Sequence, residues 1–227
     1  MRKIIYFSLC ILLLSSCGET KNFTRGDNYP KMYEEKPTSI LIMPPINRTV
    51  NVEAKEYFYS SLAVPLCEKG YYVISPFLAM ETLKSESAYD SEMFLESNLS
   101  KFHEVFGADA ALFTIINRWD KSTLGNTITV EIEYLLKSTA NNEVLFNRKG
   151  VLTVDMSINS GSGGLLGALV DMAASAITTA ATDKVVAARS CNNFSLHDLP
   201  DGRYRSTFDK DQITPAGGKE FKSTVKK

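Results

Sequence analysis

Residues 38–75, TSILIMPPINRTVNVEAKEYFYSSLAVPLCEKGYYVIS, decide the fold. Ser39-Ile40-Leu41-Ile42-Met43 is a short, continuously apolar run that Pro44-Pro45 brings to a stop. Its brevity and its bracketing prolines favour a buried strand over a helix. A loop, Pro45–Val50, follows, and Asn51 is suited to cap a helix with Glu53 in its first turn. From about Val52 to Glu68, Ala54, Phe58, Leu62 and Leu66 recur at four-residue spacing, while Lys55, Glu56 and Lys69 face water. Pro65 removes one backbone donor, so a kink or break is expected near Ser61–Pro65. Gly70 ends the helix and Tyr71–Ser75 reads as the next strand. A strand, a helix and a strand in this order form a βαβ unit whose crossover is right-handed.

Downstream, two more helical segments are expected at about Phe77–Ser85 and Ser91–Phe106, the second closed by Gly107. The period then changes to two. Ala110–Trp119, Thr127–Lys137 and Val144–Met156 read as strands, with Gly125-Asn126 and Ala140-Asn141-Asn142 as hairpin turns. On the middle one, Val130, Ile132, Tyr134 and Leu136 alternate with Thr129, Glu131, Glu133 and Leu135, which makes one face core and the other mostly polar. The expected fold is α/β: a mixed, about five-stranded sheet covered by helices, with a C-terminal helix and an extended tail.

Upstream, Arg2 and Lys3 precede an apolar run, Ile4–Leu14, and then Leu14-Ser15-Ser16-Cys17. This resembles a bacterial lipoprotein signal, too short for a spanning helix, which needs roughly 20 apolar residues. Residues 1–16 are expected to be removed and Cys17 to carry the lipid. Gly18, rather than Asp, follows the cysteine and points to the outer membrane, with the body facing the periplasm or the cell surface. Residues 17–37 form the tether, partly fixed near Tyr29–Tyr33, and residues 38–159 the α/β domain. Residues 160–190 hold a Gly-rich hinge and helix, and residues 191–227 an extended arm and polar tail.

The stretch Gly163–Ala181 carries a single charge, Asp171. A charge near a bilayer centre costs about 2.5–3.5 kcal/mol, which small Ala and Thr side chains offset poorly. An amphipathic helix is expected instead, with Leu165, Leu169 and Met172 on a face that docks on the body or on a neighbouring subunit.

The formal charge is −1, so nothing suggests nucleic acid as a partner. Of four cysteines, Cys10 leaves with the signal and Cys17 is lipidated. Cys67 and Cys191 are left as either a disulfide or two separate thiols. With two histidines, His103 and His197, and no HExxH or CxxC, no metal site or cofactor is expected. Ser195, His197 and Asp198 stand too close in sequence to supply triad geometry, and no Gly-x-Ser-x-Gly elbow exists. The Gly-rich stretch Ser160–Gly164 lacks the Gly-Lys-Ser/Thr of a phosphate loop. An enzyme is therefore not expected. The loop after the first strand is the candidate binding site, because α/β sheets place sites at carboxyl ends of strands. There Asn47 and Arg48 are candidates to contact an anionic group, or Arg48 a local acid.

Tyr29–Tyr33, Ile40–Asn47, Val52–Lys55, Tyr57-Phe58 and Gly70–Val73 together resemble the signature of a family of bacterial outer-membrane lipoproteins. That family, long a domain of unknown function, includes a neisserial surface-lipoprotein antigen. Ala108-Asp109-Ala110, Trp119, Gly161–Gly167 and Leu199–Tyr204 fit the same pattern, although Gly202-Arg203-Tyr204 stands where relatives have Gly-Pro-Tyr. The resemblance implies a fold similar to the N-terminal domain of TolB and to curli-secretion lipoproteins, with no catalytic residues to carry over. It also implies assembly with envelope lipoproteins, including a curli-secretion-like one, or homo-oligomerisation. Tyr204 on the arm joins the helix residues as a candidate contact. The expected function is a non-enzymatic subunit of an envelope complex supporting transport or secretion; the alternative is a ligand-binding auxiliary subunit of an envelope transporter.

Overall fold

The computed structural model describes residues 23–122, 127–156 and 184–226. Cys17, the Gly125-Asn126 turn, the Gly-rich hinge, Leu165, Leu169 and Met172 lie outside the described residues. The chain opens with two short helices, α1 (Arg25–Asn28) and α2 (Pro30–Glu35). The βαβ unit follows as β1 (Ser39–Ile42), β2 (Ile46–Asn47), α3 (Ala54–Glu68) and β3 (Tyr72–Val73). Next come α4 (Pro76–Ser85), a 3-10 turn (Ser91–Phe94) and α5 (Ser100–Phe106). The long strands β4 (Ala110–Lys121), β5 (Thr127–Ser138) and β6 (Val144–Asp155) form a meander. Residues 184–196 are helical (α6), and β7 (Glu220–Lys226) ends the fold.

The sheet is mixed, in the order β3-β1-β4-β5-β6-β7, with β2 also beside β4. The five expected strands are all present, with β1 parallel to both β3 and β4 and the meander antiparallel. Two strands were not expected. Pro44-Pro45 interrupts β1, yet the chain rejoins β4 as β2, with Asn47 opposite Ile116. The polar tail supplies β7, which runs parallel to β6 over seven residues. Its Phe221 and Val225 pack on the core while Glu220, Lys222 and Thr224 face water.

Alternation puts two cores on the two faces of the sheet. Ile40 and Ile42 join Phe58, Leu62 and Leu66 of α3, the inward face of β5, and Ala187, Ala188 and Cys191 of α6. Leu41 and Met43 turn the other way, toward Ala79 and Leu83 of α4 and Phe102 of α5. On β5, Ile128, Val130, Ile132, Tyr134 and Leu136 are all fully buried, as the alternation predicts.

Local differences have local causes. Pro65 lies inside α3, which nevertheless runs on to Glu68, held by the buried face it presents. The expected helix Ser91–Phe106 divides because Asn98 Oδ1 accepts from Ser100 N at 2.8 Å and Asn142 Oδ1 accepts from Leu99 N at 2.8 Å. Those side-chain bonds replace helical ones. Gly107 does close α5, at φ +65. The helix expected within residues 160–190 continues to residue 196. Its polar residues explain why: Asn192 Oδ1 accepts from the Tyr134 hydroxyl at 2.6 Å, and Nδ2 donates to Phe58 O and Ser61 Oγ. Cys67 is exposed and Cys191 buried, two separate free thiols, and burial pushes the Cys191 thiol up.

Candidate functional site

The loop after β1 closes on itself. Asn47 Nδ2 donates to Asn51 O at 2.7 Å, and its Oδ1 accepts from Thr49 N at 3.1 Å and from Thr49 Oγ1 at 2.8 Å. Arg48 N donates to Ile116 O at 2.9 Å, and its guanidinium meets Glu92 at 2.6 Å with both side chains half in water. Ser91 Oγ donates to Pro44 O at 2.6 Å and fastens the 3-10 turn against the prolines. Asn47 therefore holds the turn's shape and Arg48 pairs with a local acid. The loop displays Val50 and Val52, 100% and 83% exposed. Tyr204 is 68% exposed on the arm, where its N–H donates to Gly70 O at 3.0 Å.

Polar chemistry gathers elsewhere, where both terminal segments meet the end of α3. Thr24 caps α1 in a reciprocal capping box with Asp27, which fixes the backbone that aims Arg25 inward. Arg25 is 6% exposed. Its Nη1 lies 2.7 Å from Asp211 Oδ2 and 3.7 Å from Asp201 Oδ1, and its Nη2 donates to His197 O at 3.1 Å. Asp211 also accepts from the Tyr33 hydroxyl at 3.1 Å and from Asp201 N at 2.9 Å. Asp201 in turn accepts from Thr207 and faces Lys69 and Arg205. Burial alone would raise the Asp201 carboxyl, but the Thr207 hydroxyl, then Lys69, Arg205 and Arg25, hold it below the ordinary carboxylate value. Burial lowers the Lys69 ammonium and the neighbouring Arg25 lowers it further.

Two glycines let the arm reach this place. Gly202 N donates to Lys69 O at 2.7 Å, so close that a Cβ on Gly202 would stand 2.5 Å from Gly70 O. The Tyr71 hydroxyl donates to Pro200 O at 2.7 Å beneath them. A cleft of about 420 Å³ opens beside the network, lined among others by Arg25, Lys69, Asn193, His197, Asp201 and Arg205.

A second buried polar group ties the same termini to the sheet. Arg148 lies between the Phe194 and Phe221 rings, 5.2 and 5.1 Å from their centroids, and its Nη1 donates to Phe194 O and Ser195 O. Asp198 accepts from the Tyr29 hydroxyl at 2.9 Å and from Gly217 N at 3.0 Å. Both oxygens of Asp198 thus accept a hydrogen bond, one from Tyr29 and one from Gly217. Among the described residues no cluster of His, Cys, Asp and Glu is arranged to hold a metal. No helix among them is long and apolar enough to cross a membrane.

Sequence reasoning placed Tyr29 and Leu199–Tyr204 in motifs but did not pair Arg25 with Asp201 and Asp211. No periodic signal links residues so far apart.

A family model described as "Putative lipoprotein GNA1162-like" matches residues 27–199. A lipoprotein of Neisseria meningitidis serogroup B, NMB1124/NMB1162, is 30% identical over 186 residues, 81% of this chain and 85% of its own length. The crystal structure of lipoprotein GNA1162 from Neisseria meningitidis is 29% identical, covering 63% of this chain and all of that one, at a TM-score of 0.48. A PelC dodecamer from Paraburkholderia phytofirmans is 16% identical over 74% of this chain and 91% of that one, at a TM-score of 0.43. By the extent of the family match and the identity to the meningococcal protein, the chain belongs to the GNA1162-like lipoprotein family.

Proposed function

We propose that the chain is a non-enzymatic lipoprotein, anchored in the outer membrane through Cys17, that works as a subunit of an envelope lipoprotein complex supporting transport or secretion. Membership of a lipoprotein family supports the anchor. One structural observation supports assembly over a free-standing role. The sheet ends in β7, whose outer backbone edge has no partner strand among the described residues. Along this seven-residue strand, alternate residues turn their N–H and C=O groups to that edge and form a template to which an extended segment of a neighbour adds as a further strand. Lys222 and Lys226, both exposed, discourage indiscriminate pairing and favour a partner strand with acidic residues. The alternative of ligand capture at the Pro44–Asn51 loop has less support, since Asn47 and Arg48 already spend their polar groups internally.

The test is photo-crosslinking in intact cells from position 222, with Cys17→Ala as the unanchored control. A small set of other lipoproteins captured by the wild type and lost in the control is the expected result. Absence of any crosslink from β7, in cells where the protein is correctly anchored, would rule out this edge as the docking surface.

A further inference from the structure

The outer edge of β7 carries a pattern that is complementary to itself. Lys149 N donates to Lys219 O at 2.9 Å, and Glu220–Lys226 lie opposite Lys149–Asp155. In a parallel ladder of that register, the N–H and C=O groups of Phe221, Ser223 and Val225 turn to β6. Those of Glu220, Lys222, Thr224 and Lys226 turn to the edge that has no partner strand among the described residues. Side chains follow the same alternation. Phe221 and Val225 pack, partly buried, on the core, while Glu220, Lys222, Thr224 and Lys226 are exposed on the opposite face.

A second β7 laid antiparallel on this edge, with a two-fold axis at Ser223, sets no like charges opposite one another. The edge-facing residues meet as hydrogen-bonded pairs, Glu220 with Lys226 and Lys222 with Thr224 of the other copy, each pair exchanging two bonds. On the core face Phe221 meets Val225, and Ser223 meets Ser223. Across the polar face the charges alternate. Lys149 lies 3.1 Å from Glu220 within one copy, and Asp155 stands opposite Lys226 in the same ladder. A row across the joined sheets therefore runs Lys149, Glu220, then Lys226 and Asp155 of the second copy, and the axis repeats it. Slipping the strands by two residues either way sets Lys222 against Lys222 or against Lys226 and shortens the ladder. A slip of one residue opposes edge-facing groups to groups already bonded to β6.

We propose that β7 pairs antiparallel with β7 of a second copy of this chain, so that the two sheets continue as one across a two-fold axis at Ser223. The inference rests on the reading of β7 as the docking edge and names its occupant. Such an isologous contact closes at two copies and leaves neither β7 edge open. It also covers the partly exposed flanks of Phe221 and Val225. A ladder of seven residues is a small interface, and the anchor proposed at Cys17 holds both copies in one membrane, which raises their effective concentration.

The test is a cysteine placed on the axis. In a non-hydrogen-bonded antiparallel pair the Cα atoms stand about 4.5 Å apart, within disulfide range, whereas diagonal neighbours stand about 7–8 Å apart, beyond it. Ser223→Cys, made in the full chain with the exposed Cys67 changed to Ser, should form an intermolecular disulfide in intact cells, read as a dimer band on non-reducing gels. Thr224→Cys in the same background should give several-fold less. Charge reversal then checks the register in a way that a folding defect does not imitate. With Ser223→Cys present, Glu220→Lys alone and Lys226→Glu alone should each lose most of the dimer. Co-expression of the two should restore it, because the mixed pair again opposes unlike charges. A Ser223→Cys chain that stays monomeric, or crosslinks no better than Thr224→Cys, overturns the proposal, as does a dimer that the charge reversals leave unchanged. If other lipoproteins are still captured from position 222 in that case, docking at the edge stands and only the second copy is excluded. Capture of nothing from that position, with no dimer, removes both.

Discussion

On β5, five consecutive inward positions, Ile128 to Leu136, are fully buried, and the one polar atom among their side chains is the Tyr134 hydroxyl. Where the termini meet α3, by contrast, Arg25, Asp201 and Asp211 are each at least as much charge as surface, and they too are buried. The first region is held by area removed from water, about 25 cal/mol per Å², and tolerates any side chains of the right size and shape. The second is held by named partners at named distances, and its worth lies in specificity more than in net stabilisation, since desolvating these charges offsets much of their attraction. The sheet body decides that the chain folds. The terminal network decides where its two ends are fixed.

The largest effects should come from breaking each region at its centre. Phe58→Ala, in the apolar core under α3, is expected to cost about 3–5 kcal/mol. Arg25→Met leaves the buried Asp211 carboxylate without its cation and is expected to cost about as much, roughly 3–5 kcal/mol. If the two regions form one cooperative unit, both variants lower a single denaturation midpoint with an unchanged denaturant slope. An early partial transition confined to Arg25→Met would instead make the terminal network a separate unfolding unit.

A sharper cut between the regions lies at Gly150. A Cβ there would stand 2.1 Å from Phe221 O, so β7 can pair with β6 only because this position has no side chain. Gly150→Ala is expected to cost about 1–3 kcal/mol through the forced displacement. Its signature is faster amide exchange across Glu220–Lys226 with the β4–β5 amides unchanged. Loss of protection throughout the sheet would show that β7 belongs to the body rather than to the terminal network.

Acid should probe the network selectively. The Asp201 carboxyl is lower in the folded chain than in the unfolded one, despite the opposing pull of burial, because Thr207 and the three cations favour its charged form. Its contribution is therefore complete above the ordinary aspartate value of about 3.9 and is lost as pH falls through that value toward the lowered one. Asp201→Asn should flatten the acid limb of the stability curve while leaving the plateau near neutrality lower. An acid limb identical to wild type would remove Asp201 from the balance.

The same contrast explains what was legible beforehand. Ala54, Phe58, Leu62 and Leu66, or the alternation from Val130 to Leu136, announce themselves because burial imposes a helix or strand period on apolar residues. Glu220–Lys226 could not be read so: it has two large apolar residues, and its strand state depends on the missing side chain at Gly150. The extension of α6 to residue 196 was hidden for a related reason, since Asn192 reads as a helix-ending polar residue until Tyr134, Phe58 and Ser61 are seen around it. Arg25, in a stretch read as tether, is fixed by partners 176 and 186 positions away at Asp201 and Asp211.

The smallest expected effect is at the position the sequence singled out for binding. Arg48 and Glu92 form a close pair at 2.6 Å, but both are about half exposed, so water and salt screen the attraction and each long side chain loses rotamer freedom to make it. Arg48→Ala should change stability by less than about 1 kcal/mol, and the change should vanish in high salt. The loop's shape does not depend on that guanidinium. Asn47 closes the turn with Thr49 and Asn51, and the Arg48 backbone N–H, which the substitution retains, keeps its bond to Ile116 O. Thermal melts of Arg48→Ala and Asn47→Ala measured side by side should therefore separate, with Asn47→Ala the more destabilised. Equal loss in the two, or a larger loss at Arg48 that persists in salt, would mean that the ion pair and not the asparagine turn holds the end of β2 in place.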